Sequence, residues 1–157
     1  MLALPATPVV AQPCWPAALV AAFSEVRGSA GAGSITYRLR LTNGGPVACT
    51  VSGRPGLRLL DRRGRALPTR VSPDHPGTGT AVLVTLKHLA SAIADARFSP
   101  DVPGKGEPSN RACEPTATRV RVTLASPGSG RVTAPVRPAT PVCEHGAIVE
   151  GLLHRPR

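Results

Sequence analysis

In residues 35–67, ITYRLRLTNGGPVACTVSGRPGLRLLDRRGRAL, short alternating apolar runs are cut at close intervals by turn residues. Ile35, Tyr37, Leu39 and Leu41 alternate with Thr36, Arg38, Arg40 and Thr42. This period of two predicts a half-buried β-strand. Asn43-Gly44-Gly45-Pro46 ends the run, because Asn and Gly accept positive φ and Pro has no N–H to give a ladder. Ala48-Cys49-Thr50-Val51 is a second, short extended piece, and Ser52-Gly53-Arg54-Pro55-Gly56 turns the chain again. Leu57-Arg58-Leu59-Leu60 is a third strand, closed by Asp61-Arg62-Arg63-Gly64. A chain punctuated in this way folds as short strands joined by turns.

The same grammar continues elsewhere. The 157 residues include 16 Gly and 18 Pro, and they suffice for one domain with one core. Residues 19–26 open with a strand (Leu19, Ala21 and Phe23 alternate), and residues 67–71 suit a short edge strand. Residues 119–124 alternate Arg119, Arg121 and Thr123 with Val120, Val122 and Leu124. A turn at residues 126–130, a weaker strand at 131–136 and a last strand at 147–153 follow. Residues 81–98 carry two signals. Leu86, Leu89, Ala90, Ile93 and Arg97 fit a helical period, whereas Ala92, Ala94, Ala96 and Phe98 alternate. The expected fold class is all-β, a single-domain antiparallel β-sandwich of seven to nine strands over residues 12–153. Residues 1–11 read as the residual end of a signal peptide, with Val9-x-Ala11 as a small-residue cleavage site, or as a disordered N-terminus. Residues 154–157 form a loose tail.

Formal net charge is +10, and of 19 basic residues only Lys87 and Lys105 are lysine. Abundant Arg, Ala, Pro, Gly and Val together point to a GC-rich coding bias, which alone disperses charge over a solvated surface. The sharper reading is contact with polyanions. Nucleic acid is the weakest of these, because aromatics are 3% and no helix-turn-helix or zinc-finger signature is present. No apolar run approaches a membrane span. Cys14, Cys49, Cys113 and Cys143 are even in number, widely spaced and without a C-x-x-C pair. They read as two disulfides formed in an oxidising compartment, with three pairings open. The pairing of Cys14 with Cys49 and of Cys113 with Cys143 closes two loops of similar span.

Several of these elements together resemble a known family. They are the early Cys14, the Gly-rich segment 28–34 leading into a strand that ends Leu41-Thr42-Asn43, and the run Cys49-Thr50-Val51-Ser52-Gly53-Arg54-Pro55-Gly56-Leu57. Asp61-x-x-Gly64 follows, and late in the chain stand Cys113-Glu114-Pro115 and Cys143, each before a strand. The pattern is similar to that of the secreted actinobacterial domain-of-unknown-function family numbered forty-two thirty-two, over residues 14–153. One departure is that Leu86-Lys87-His88-Leu89 stands where members usually carry a Leu-x-Pro-Gly-like turn. The resemblance implies an immunoglobulin-like β-sandwich, export and, in some members, attachment to the cell envelope. It implies no activity. It also tips residues 81–98 from a helix over 86–96 to two strands joined by a turn near His88. The disulfides expected are Cys14–Cys49 and Cys113–Cys143, each worth roughly 3 kcal/mol.

Catalytic signatures are sparse. His75, His88, His145 and His154 lie in no H-E-x-x-H, and no G-x-S-x-G elbow is present. Cys113 and Cys143-Glu144-His145 would suit zinc only with reduced thiols. Asp95, Asp101 and Glu107 read as solvated surface carboxylates, and Trp15 as packed on a disulfide or strand end. The expectation is therefore no enzyme, no cofactor and no metal site. The function expected is that of an exported, envelope-associated domain without catalysis, which binds anionic envelope polymer, lipid head groups or an envelope protein. The alternative is a purely structural surface domain without a discrete ligand, and an enzyme ranks below both. The candidate anion-binding residues are Arg38, Arg40, Arg58, Arg119 and Arg121, all on strand faces opposite the aliphatic side. They form one stripe if their strands are neighbours, and cover separate sides if not.

Overall fold

The computed structural model describes residues 2–6, 10–77, 79–125 and 130–157. The Val9 position of the expected cleavage site and most of the turn expected at 126–130 lie outside the described residues. The strands are β1 (Gln12–Pro13), β2 (Leu19–Glu25), β3 (Ile35–Asn43), β4 (Cys49–Val51), β5 (Gly56–Leu60), β6 (Arg70–Pro73), β7 (Val84–Leu86), β8 (Ser91–Phe98), β9 (Ala117–Thr123), β10 (Arg131–Thr140) and β11 (Ala147–Glu150). These are more than the seven to nine expected. The surplus comes from pieces as short as Gln12–Pro13, too brief to show any period.

Eight strands form one sheet in the order β5-β9-β10-β2-β3-β8-β11-β6, curled until it is nearly a barrel. A three-stranded sheet, β1-β4-β7, packs against it. Pairing is mixed. β1 with β4, β10 with β2 and β11 with β6 run parallel, where antiparallel strands were expected throughout. Such pairs join strands distant in sequence, and no local pattern announces them.

Strand β3 is the spine. It pairs with β2 from Leu19↔Asn43 to Glu25↔Tyr37 and with β8 from Ile35↔Phe98 to Thr42↔Ser91. Its odd-numbered residues Ile35, Tyr37, Leu39 and Leu41 are buried, as the period of two requires. Tyr37 lies between Phe23 and Phe98, with ring centroids 5.3 and 5.0 Å away, and its hydroxyl donates to the Pro138 carbonyl at 2.7 Å. Apolar body and polar tip are thus both satisfied. From β5 and β9, Leu57, Leu59, Val120 and Val122 complete one continuous core.

Residues 81–98 form strands, and the alternating signal wins over the helical one. Ala92, Ala94, Ala96 and Phe98 face the core; on the opposite face Asp95 and Arg97 are at least partly exposed, while Ile93 is buried where His154 of the tail pairs with it. Small alanines at the centre of β8 leave room for the large side chains of β3 opposite them. The turn lies at Lys87–Ala90, where the Ala90 N–H donates to the Lys87 carbonyl at 2.9 Å and Leu89 takes φ 65°. In the tail, His154 exchanges two backbone hydrogen bonds with Ile93, so pairing continues past residue 153.

Candidate functional site

The five arginines fall into separate groups. Arg58 on β5 stands directly opposite Arg121 on β9, and Arg119 follows two residues along the same strand. Like charges in register repel. Arg58 is exposed and donates only weakly, to the Leu67 carbonyl at 3.4 Å. Among the described residues, no carboxylate forms an ion pair with Arg58, Arg119 or Arg121. Arg38 on β3 is different. Its guanidinium grips Asp95 of the neighbouring β8 in a two-point contact of 2.7 and 3.1 Å. This contact raises the guanidinium's pKa further and neutralises its charge locally. Arg40 is exposed and opposes Ile93, beside a surface depression it shares with Leu89 and Arg155.

All five lie on one hydrogen-bonded sheet, yet β10 and β2 stand between β9 and β3. At about 4.8 Å per strand the two groups are roughly 14 Å apart, beyond the screening length of about 8 Å. There is no single stripe. The geometry offers one unneutralised cluster, Arg58–Arg119–Arg121.

The disulfides are Cys14–Cys49 and Cys113–Cys143, and no free cysteine exists. Two cross-links in a domain of this size belong to an oxidising, extracytoplasmic environment. With both cysteines of the 113–143 pair so engaged, the zinc arrangement considered from sequence has lost its thiolates. Trp15, expected to pack on a disulfide or a strand end, is instead 77% exposed. Its neighbour Cys14 is buried in the bridge, and at Pro16–Ala18 the chain makes a 3-10 turn that carries the indole outward.

Sequence reasoning missed a polar cluster beside the second disulfide. The Glu107 side chain, read as a solvated carboxylate, is only 2% exposed. Its oxygens accept the backbone N–H groups of Gly104, Glu144 and His145. Burial pushes its pKa up, but those three donors and the Glu114 carboxyl outweigh burial and hold it at about 2. Glu114 is raised, by burial and then by Glu107 beside it. His145 is raised too, chiefly because its Nε2–H donates to the Lys105 carbonyl, with Glu107 and Glu114 adding to the effect. Ligand atoms of Glu107, Glu114 and His145 come within 4.8 Å of one another. Since the Glu107 oxygens are occupied by backbone donors, the cluster acts as a staple. It holds the single-turn helix Cys143–Gly146, left-handed at Glu144, His145 and Gly146 with φ 58, 56 and 78°. Gly146 is obligatory, because a Cβ there would meet the Pro68 carbonyl oxygen at 1.8 Å. Positive φ at three consecutive residues has no local signature, and without it Glu107 cannot be recognised as buried.

The model of the family described as "Domain of unknown function (DUF4232)" matches residues 14–151. The chain belongs to this family. Comparison with curated proteins and with solved structures gives no match. The matched span of the DUF4232 domain runs from the first cysteine to the residue after β11, and so takes in both disulfides and the Glu107 staple. Among the described residues no helix is long and apolar enough to cross a membrane.

Proposed function

We propose that this DUF4232 domain is an exported, non-catalytic, immunoglobulin-like module that docks on anionic envelope material through Arg58, Arg119 and Arg121. The observation carrying the reading is the direct opposition of Arg58 and Arg121, neither of which forms an ion pair with a carboxylate among the described residues. Two arginines opposed on neighbouring strands place their charges on one face of the sheet, where phosphate or carboxylate groups match their forked donors. A repeating anionic polymer presents such groups at every unit, which suits a weak site through multiple encounters.

The test is retention on immobilised poly(glycerol phosphate) across a salt series. Wild type is retained at low salt and released steeply as salt rises. Arg58→Ala with Arg121→Ala elutes much earlier, while Arg38→Ala changes little because Arg38 is already neutralised by Asp95. Equal retention of wild type and the double variant removes the proposal.

A further inference from the structure

A second surface lies at the end of the molecule where β2 begins, β3 ends and β7 turns into β8. The organising residue is Asn43, fully buried. Its side-chain N–H groups donate to the carbonyls of Val47 and Leu86, both at 2.9 Å, and its side-chain oxygen accepts the Gly45 N–H at 2.9 Å. Its backbone bonds Ala90 and Leu89, and the next N–H, of Gly44, bonds the Ala18 carbonyl at 2.8 Å. His88 reaches across to the Gly45 carbonyl at 2.8 Å, and the Cys14–Cys49 disulfide ties the first loop to the second. Three loops, residues 15–18, 44–48 and 87–90, are therefore fixed to one another.

This well-braced end presents its apolar side chains to water. Trp15 is 77% exposed, Val20 63%, Val47 75% and Leu89 67%. Single exposed apolar residues are ordinary. Here four of them occupy one end, and rigid bracing excludes their folding back onto the core. Leu89 is also held at φ 65°, where a β-carbon is disfavoured and glycine is the usual residue. The fold thus keeps a leucine, at a conformational cost, at a position where it buries little.

Charge specifies the occupant. Residues 14–20, 43–49 and 87–91 contain no Asp or Glu, and Lys87 and His88 lie within them. Arg40 and Arg155 line the depression beside Leu89. Apolar tips on separate loops, a tryptophan among them, with cations behind and no acid, suit a surface with an apolar interior and an anionic skin. A soluble polyanion would gain nothing from the leucine and the valines.

We infer that this end, through Trp15, Val47 and Leu89 backed by Lys87, Arg40 and Arg155, inserts shallowly into an anionic lipid bilayer. The surface differs from the Arg58–Arg121 pair, and neither requires the other.

Trp15 is the only tryptophan, so its fluorescence reports on this end alone. The full chain is titrated with phosphatidylglycerol vesicles, with phosphatidylcholine vesicles and with free glycerol phosphate. The emission moves to shorter wavelength with the anionic vesicles only, and brominated lipid quenches it. Leu89→Gly relieves the positive φ and so keeps or raises the thermal midpoint, yet weakens partitioning about tenfold through loss of one inserted side chain. Unchanged emission with anionic vesicles, or equal partitioning of Leu89→Gly, overturns the inference. So does binding to native envelope membranes that disappears when their proteins are stripped, which would assign this end to a protein partner. Retention on the glycerol-phosphate polymer that depends on Arg58 and Arg121 is unaffected by any of these outcomes, so the two readings fail separately.

Discussion

Glu150 carries a carboxyl group into the core at the end of β11. The residue is fully buried, and among the described residues neither carboxyl oxygen has a hydrogen-bond partner. Its backbone is well held, with its carbonyl accepting from Arg54 Nε at 2.8 Å and from the Asp74 N–H at 3.1 Å. Burial pushes the pKa up to about 8, with Arg54 pulling it down and Asp74 adding to the rise. An unfolded glutamate titrates near ~4.3, so between these values the folded chain holds a proton that the unfolded chain releases. Stability is greatest below the lower value and declines as pH rises toward about 8, by at most about 1.4 kcal/mol per unit from this group. Glu150→Gln is expected to flatten that decline. Urea midpoints of both proteins from pH 5 to 8 check this, and parallel curves would refute it. The raised pKa of His145 tilts stability in the same direction in both proteins, so the difference between them isolates Glu150. The alternation in β11 gives this residue's inward direction. No feature of the sequence shows that the carboxyl goes unpartnered there. Asn43 is the converse case, since its place in the resemblance and at the end of a strand marked a turn residue, while its hydrogen-bonding hub depends on Val47, Leu86 and Ala90 meeting it in space.

Among the elements, the segment from the long surface loop to β11 depends most on covalent help. Residues 99–116 contain no strand, and the Cys143–Gly146 turn is left-handed. They are joined by the Cys113–Cys143 bridge, by Glu107 with its three backbone donors, and by the Cys143 N–H to the Ser99 carbonyl at 2.8 Å. Cys113→Ser with Cys143→Ser is expected to cost about 3 kcal/mol in urea unfolding. Amide exchange should quicken in 104–107 and 143–146 more than in β3. An unaltered midpoint would mean that the Glu107 staple suffices alone. In 81–98 the local sequence slightly favours a helix, and the resemblance to a family pattern, together with the alternating alanines, tips it to two strands. Tertiary pairing explains the outcome, because β3 needs a partner on its second edge and β8 fills it over eight register positions. The helix-period residues Leu89 and Ile93 then fall on the turn and on the face opposite the alanines, where the tail at His154 covers Ile93.

At the scale of the whole molecule, one core takes residues from both sheets. Unfolding is therefore expected to be a single transition. The far-UV strand signal and the near-UV signal of Tyr37, the only tyrosine, should fall together with heat or urea. An earlier loss of strand signal would indicate that the small β1-β4-β7 sheet melts independently. The sequence by itself determined the all-β class, the position of most long strands, the inward and outward face of each, and the disulfide chemistry. These follow from a side-chain period of two, from turn residues with special backbone freedom, and from an even set of cysteines without metal spacing. Tertiary structure alone decided which strands are neighbours. That choice separates Arg38 and Arg40 from Arg58, Arg119 and Arg121, gives Arg38 an Asp95 partner, buries Glu107, and leaves Trp15 and Leu89 exposed at one end. The physical reason is that pairing between distant strands is set by how the whole set of apolar faces closes over a single core. No local stretch of chain carries that information.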